Sequence, residues 1–143
     1  MSESVEELSA EWRTLLTAPR RGHAELRRRD IPAVPGVYAW FVGGECVYVG
    51  RATSLRTRLS SHRSGSRDLS RSTLRASVAA QELGVPRGAA RQRPSVMTAE
   101  QIAAVTAWFS AASVTWIECM TQVEAKALED RLLGSQRPPL NLV

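Results

Sequence analysis

Histidine, cysteine and lysine are all scarce in this chain. There are two histidines, two cysteines and, among nineteen basic residues, one lysine, Lys126. With only Cys46 and Cys119 and no Cys-x-x-Cys pair, there is neither a disulfide framework nor a His/Cys set spaced for structural zinc. Both cysteines fall in strand-like apolar runs, so reduced, buried thiols are expected. No apolar run approaches the roughly 20 residues that span a bilayer. The opening MSESVEEL is acidic where a signal peptide would carry an apolar core. The expectation is a cytoplasmic chain with no membrane partner. Internal repeats and low-complexity tracts are missing as well. What remains is a chain of 143 residues, 43% hydrophobic, which suits one globular unit with a real core.

The net charge of +5 is unevenly distributed. Residues 1–17 sum to −3, and residues 63–97 sum to +5 through Arg63, Arg67, Arg71, Arg75, Arg87, Arg91 and Arg93. Arginine carries a planar fork suited to bidentate phosphate contacts. A basic block in mid-chain is therefore a candidate electrostatic footprint for nucleic acid, although a run of charge is more often a solvated face.

Residues 35–62 read PGVYAWFVGGECVYVGRATSLRTRLSSH. Two short apolar runs, each with a tyrosine beside a glycine, flank a Gly-Gly turn, and an Arg-rich amphipathic segment follows. Gly36-Val37-Tyr38 and Tyr48-Val49-Gly50 resemble the paired signature of the GIY-YIG nuclease family. Arg58 and His62, eight and twelve residues after Gly50, stand where that family carries its helix arginine and its His/Tyr. In LEDRLLGSQRPPLN, Glu129 and Asn141 match the family's metal-binding glutamate and closing asparagine. Either tripeptide alone is a weak signal; six positions in order, at near-family spacing, are a strong one. The likeness covers about residues 34–62 and 113–143.

The resemblance implies an α/β domain with a three-stranded, mainly antiparallel sheet flanked by helices, occupying residues 34–143. Residues 1–33 would add an N-terminal helix and a basic lead-in, and 63–97 an Arg-rich insert. Val5, Leu8, Trp12, Leu15 and Leu16 recur at helical spacing over residues 4–17. In the hairpin, a two-residue Gly43-Gly44 turn would put Tyr38 and Tyr48 on opposite faces. A three-residue loop of Val42, Gly43 and Gly44 pairs them directly and segregates Val37, Ala39, Phe41, Val47 and Val49 from Tyr38, Trp40, Cys46 and Tyr48. The cleaner segregation favours the three-residue loop. A short helix over 54–62, capped by Thr53 or Ser54, turns Leu55 and Leu59 inward and sets Arg58 and His62 on one adjacent face. Ser70 or Ser72 opens a further helix that Gly84 and Pro86 end, and 85–97 reads as loop. Thr98 to Gln101 and Thr121 to Glu124 are capping boxes. The first opens a helix with Ile102, Val105, Trp108 and Phe109 inward. The second opens one reaching about Leu133, with Ala125, Leu128 and Leu132 inward. Residues 113–119 form the third strand.

Phosphodiester hydrolysis needs an activated water, a polarised phosphate and cations for the developing charge. The resemblance implies Mg²⁺, with Mn²⁺ as a substitute, held by Glu129, and DNA as substrate. It also implies Tyr38 as general base or water-positioning group, supported by Tyr48 and His62. Arg58 suits a phosphate clamp, and Asn141 would orient the glutamate or the phosphate. A free tyrosine has a pKa of about 10, so a basic role for Tyr38 needs nearby positive charge, from Arg51 or Arg58. Some relatives carry lysine where this chain has Arg51; arginine acts only as a charge there. Arg51, Arg67, Arg71 and Arg75 are the candidate DNA contacts, Arg75 lying close enough to Leu74 and Val78 to brace the core instead. Taken singly, the tyrosines would be packing residues, Glu129 a solvated helix residue and His62 a helix C-terminal charge; His23 carries no functional signal. Specificity is expected from the insert, the N-terminal helix, self-association or a partner protein. The rival reading is a non-catalytic nucleic-acid-binding module on the same fold.

Overall fold

Two consecutive glycines decide how the central hairpin turns. The computed structural model describes residues 9–61, 73–84 and 98–141. Gly43 and Gly44 have φ of 60° and 84°, the left-handed pair that a two-residue type I′ turn requires and glycine adopts freely. Strands β2 (Gly36–Val42) and β3 (Glu45–Ala52) therefore pair Val42 with Glu45 and Phe41 with Cys46. This corrects the expected three-residue loop. The register then shifts between Trp40 and Phe41, leaving Val47 as an extra residue, so that Trp40 pairs with Tyr48 and Tyr38 with Gly50. A bulge of one residue reverses the alternation beyond it. Tyr38 and Tyr48 thus share a face as expected, but as diagonal neighbours, with ring centroids 6.3 Å apart. Near the turn the faces are exchanged: Cys46 packs with Val37, Ala39, Phe41 and Val49, and Val47 packs on the Tyr38 side.

Among the described residues the sheet is antiparallel with four strands, β1 (Arg21–Gly22), β2, β3 and β4 (Ser113–Glu118), in the order β1-β4-β2-β3. The fourth is β1, Arg21–Gly22, which pairs with Val114 and Ser113 and extends the three strands expected. Two residues cannot display a strand's two-residue period, so nothing in the sequence marks it.

Helices cover both faces. On the Tyr38 face, α2 (Leu55–Ser61), α3 (Thr73–Leu83) and α4 (Ala99–Ala111) bury Leu55, Leu59, Leu74, Val78, Ile102, Val105 and Phe109 around Trp40. Trp108 packs there only partly buried. His23 is buried edge-on against Trp40, their ring centroids 4.8 Å apart, and is a core residue. On the Val37 face, α1 (Ala10–Thr17) and α5 (Gln122–Ser135) contribute Trp12, Leu15, Ala125, Leu128 and Leu132. The Trp12 indole N–H donates to the Leu132 carbonyl at 2.9 Å, and Thr115 Oγ1 donates to Leu15 O at 2.9 Å, tying α1 to α5 and to β4.

Capping residues start these helices. Ser9 accepts from Trp12 N, so α1 is capped just before Ala10; Val5 and Leu8 lie outside the described residues. Thr98 and Gln101 form the reciprocal box expected. Thr121 accepts from Glu124 N at 3.0 Å, while the Glu124 carboxylate takes the Met120 N–H instead of closing the box. Gly84, at φ +68°, terminates α3. Ser70, Ser72 and the stretch 85–97 lie outside the described residues.

Candidate active site at the edge of the sheet

Arg58 is placed by a helix anchored at both ends. The first turn of α2 is capped by Ser54, whose hydroxyl accepts from Thr57 N at 3.3 Å. Its leading N–H groups, of Leu55 and Arg56, donate to Val34 O and Pro32 O at 2.9 and 3.0 Å, which satisfies donors every helix start leaves open. At the far end, a His23 ring nitrogen lies 3.1 Å from Leu59 O. Leu55 and Leu59 are fully buried against the sheet, while Arg58 stays exposed on the cleft wall, near enough for its charge to act on Tyr38.

Gly50 is where the tyrosines come closest to the backbone. A Cβ there would stand 2.6 Å from the Tyr38 hydroxyl and 2.9 Å from Tyr48 Cε2. Only a hydrogen atom fits, so the phenol packs directly over the β3 backbone at Gly50. Burial holds the Tyr38 phenol far above its ordinary range; Tyr48 and Glu129 push it the same way, and Arg58 opposes them. The resting state of Tyr38 is therefore the protonated donor. The expected lowering by a cation is present in Arg58 but loses to desolvation.

Glu129 arrives from the opposite face. It sits on α5, whose apolar stripe covers Val37 and Val49, and it reaches the edge strand at Arg51. Arg51 pairs with Val37 in the ladder, so its side chain points to that same face. Its Nε stands 3.6 Å from Glu129 Oε1, too long for a good hydrogen bond and close enough for Coulombic attraction. The Arg51 backbone N–H also bonds the carboxylate. Burial raises the Glu129 pKa above the ordinary carboxylate value; Arg51 draws it down and Asp130 raises it further.

Asn141 closes the edge. Its amide accepts from Val49 N at 2.8 Å and donates to Val49 O at 2.7 Å. Leu140 N donates to Val47 O, the bulge carbonyl, at 2.9 Å. Where a hydrogen bond to glutamate or phosphate was expected, the amide instead clasps the strand, one residue before Gly50. An exposed strand edge is a row of unpaired donors and acceptors, and this segment covers it.

Beside this edge lies a cleft of about 520 Å³, walled by Arg51, Ala52, Thr53, Ser54, Thr57, Arg58, Gln122 and Ala125. Glu129 is not on its wall; Arg51 stands between. Sequence reasoning singled out neither Thr57 nor Gln122, and only adjacency pointed to them, since one precedes Arg58 and the other opens the Glu129 helix. His62, Arg67 and Arg71 lie outside the described residues, as does the side chain of Arg75, a residue of α3. The described residues hold no cluster of three or more His, Cys, Asp or Glu. A single carboxylate, Glu129, reached at the strand edge past Arg51, is the donor set of an ion that keeps most of its waters, which fits Mg²⁺. No helix among the described residues is long and apolar enough to cross a membrane.

No curated protein matches the chain. Among solved structures, the magnesium-bound GIY-YIG N-terminal endonuclease domain of UvrC from Thermotoga maritima is similar over 99% of this chain and 100% of its own, at 20% identity and a TM-score of 0.44. A point mutant of that domain, bound to its catalytic divalent cation, is 24% identical over 81% of this chain and 96% of its own, with a TM-score of 0.43. The sequence model of the GIY-YIG catalytic domain matches residues 36–143, from the glycine that opens β2 to the end of the chain. That range takes in Tyr38, Tyr48, Gly50, Arg58, Glu129 and Asn141, and on it the chain belongs to the GIY-YIG nuclease domain family.

Proposed function

We propose that this protein is a divalent-metal-dependent endonuclease that hydrolyses phosphodiester bonds in DNA, with Mg²⁺ as the working ion and Mn²⁺ able to replace it. The carrying observation is that Tyr38, on β2, lies within the fields of Tyr48, Arg58 and Glu129, brought from three other elements. When bound, the ion supplies Lewis-acid polarisation of the phosphate and a more acidic water. Glu129 would hold it. Arg58, which cannot deprotonate, clamps the scissile phosphate from the cleft wall. Tyr38 keeps its proton on Oη and orients the attacking water or a phosphate oxygen by donating a hydrogen bond. It accepts a proton only when added positive charge offsets its burial. Tyr48 packs against it and fixes its ring. Asn141 holds the strand straight under Gly50 and Arg51. Beyond the cleft, Arg67 and Arg71 supply phosphate contacts flanking the cut.

The test is incubation of duplex, branched and single-stranded DNA with Mg²⁺ or EDTA, for wild type and Glu129→Gln. Cleavage should need the metal and fall on the order of a thousandfold in the variant, with DNA binding retained. Undiminished cleavage by Glu129→Gln refutes the metal assignment. Wild-type binding to DNA with no cleavage of any substrate favours the second reading, a non-catalytic nucleic-acid-binding module. The protonated, buried Tyr38 is the one observation on that side, since the resting site holds no phenolate base.

A further inference from the structure

Arg51 and Glu129 were each assigned a different ligand, phosphate for one and metal for the other, yet the structure joins them to each other. The guanidinium lies against Oε1 at 3.6 Å, with the arginine side chain 47% exposed and the glutamate 20%. Arg51 is on the cleft wall and Glu129 is not. The carboxylate is approached from the cleft past a fixed positive charge. Arginine remains protonated at any working pH, so it cannot relieve that charge as a lysine could; it can only move.

We infer that Arg51 is an internal counter-cation, seated on the Glu129 carboxylate until a phosphate draws it into the cleft, so that metal loading and DNA binding are coupled through one side chain. This rests on the nuclease reading above and goes beyond it. The pair is built to exchange. Its contact is long and half-exposed, hence weak, whereas a phosphate offers the same guanidinium two parallel short bonds. The swing keeps some stabilisation of the Glu129 charge, because the Arg51 backbone N–H and Lys126, which also favour the carboxylate, do not move with the Arg51 side chain. A divalent ion on that carboxylate is repelled while the guanidinium stays and is relieved when it leaves. By linkage, metal in turn favours the arginine in its phosphate-facing position. The benefit is order: the ion is held tightly only when DNA is in the cleft.

The experiment measures Mn²⁺ affinity of the DNA-free full chain by calorimetry, for wild type, Arg51→Gln and each combined with Glu129→Gln. Thermal melts confirm folding, and duplex DNA affinity is measured separately in EDTA. Removing the guanidinium should tighten Mn²⁺ roughly tenfold, the scale expected for one charge near a divalent ion in a well-solvated site. The same variant should bind DNA more weakly in EDTA. An Arg51→Lys variant, keeping a charge on a shorter, more hydrated head, should fall between wild type and Arg51→Gln. Unchanged or weaker Mn²⁺ binding in Arg51→Gln, with that binding still abolished by Glu129→Gln, overturns the inference and leaves the metal assignment standing. Mn²⁺ binding that survives Glu129→Gln in both backgrounds overturns both, because the ion then sits elsewhere.

Discussion

The two faces of the central sheet are both buried, but they are built differently. The Tyr38 face packs phenol, indole and imidazole rings against three helices, and its polar atoms are under cover. The Val37 face is mainly aliphatic around Trp12 and Phe41, with Val37, Ala39 and Val49 under α1 and α5, and it carries its charges at the rim. Neither face alone holds the candidate set. One supplies the tyrosines and Arg58, the other supplies Glu129 and Arg51, and among the described residues they meet where β3 is the outermost strand. An edge strand, usually a liability, is here where groups from both faces come together among the described residues.

The sharpest way to break this arrangement is Gly50→Ala. The added methyl would lie 2.6 Å from the Tyr38 hydroxyl and 2.9 Å from Tyr48, so both rings must shift. Single-turnover cleavage should fall by about a hundredfold or more, since displacements near 1 Å cost that much. Stability should fall by only about 1–3 kcal/mol, because the obstructing atoms are side chains. Gly36→Ala makes the informative contrast. Its methyl would meet the Ile117 carbonyl at 2.5 Å and Leu55 Cδ1 at 2.6 Å, and the carbonyl belongs to the neighbouring strand. Its melting temperature should drop further than that of Gly50→Ala. Equal melting temperatures for the two variants would mean that the strand yields as easily as the rings.

The same contrast shows what the sequence could reveal. The tyrosines, Gly50, Arg58 and the caps of α2, α4 and α5 lie in short segments whose local chemistry is written in adjacent residues. The bulge was not legible, because Cys46, Val47 and Tyr48 all tolerate either face and moving the extra residue leaves the apolar pattern unchanged. The two-residue turn was legible in principle: a glycine pair permits both left-handed angles, and only the wish for clean faces argued against it. Strand β1 is too short to carry a period. The Arg51–Glu129 pair depends on how α5 crosses the sheet edge, which no local pattern encodes. Glu129 and Arg51 could each be named from the sequence, but their pairing could not.

A smaller effect is expected from loosening the edge without touching either face. Asn141→Ala removes the two bonds to Val49 and leaves that backbone to water. At about 1 kcal/mol per bond, stability should fall by about 1–2 kcal/mol. Cleavage should slow several-fold, because Gly50 and Arg51 follow directly on the strand. Hydrogen exchange of the Val49 amide reports the clasp directly. Exchange as slow in Asn141→Ala as in wild type would show that the strand edge is held by other contacts.

The smallest effect concerns protons. Burial places the folded-state pKa of Glu129 above its ordinary carboxylate value. Between those two pKa values the native state binds more protons than the unfolded state, so stability falls as pH rises through that window. Ionised Glu129 is thus a cost that the neutral isostere avoids. Glu129→Gln should be at least as stable as wild type at pH 7, and any advantage should disappear on acidification below the ordinary carboxylate value. Stability given up at a site for the sake of its chemistry is a common trade. Arg51 opposes the shift, so Arg51→Gln should move the acid limb of the cleavage profile to higher pH. Metal binding would pull that limb back down, so the profile is best read at low and at saturating Mg²⁺. A limb that stays put in Arg51→Gln at low Mg²⁺ would show that the guanidinium does not act on the carboxylate in solution, and the two faces would then be joined at the edge by the Arg51 backbone alone.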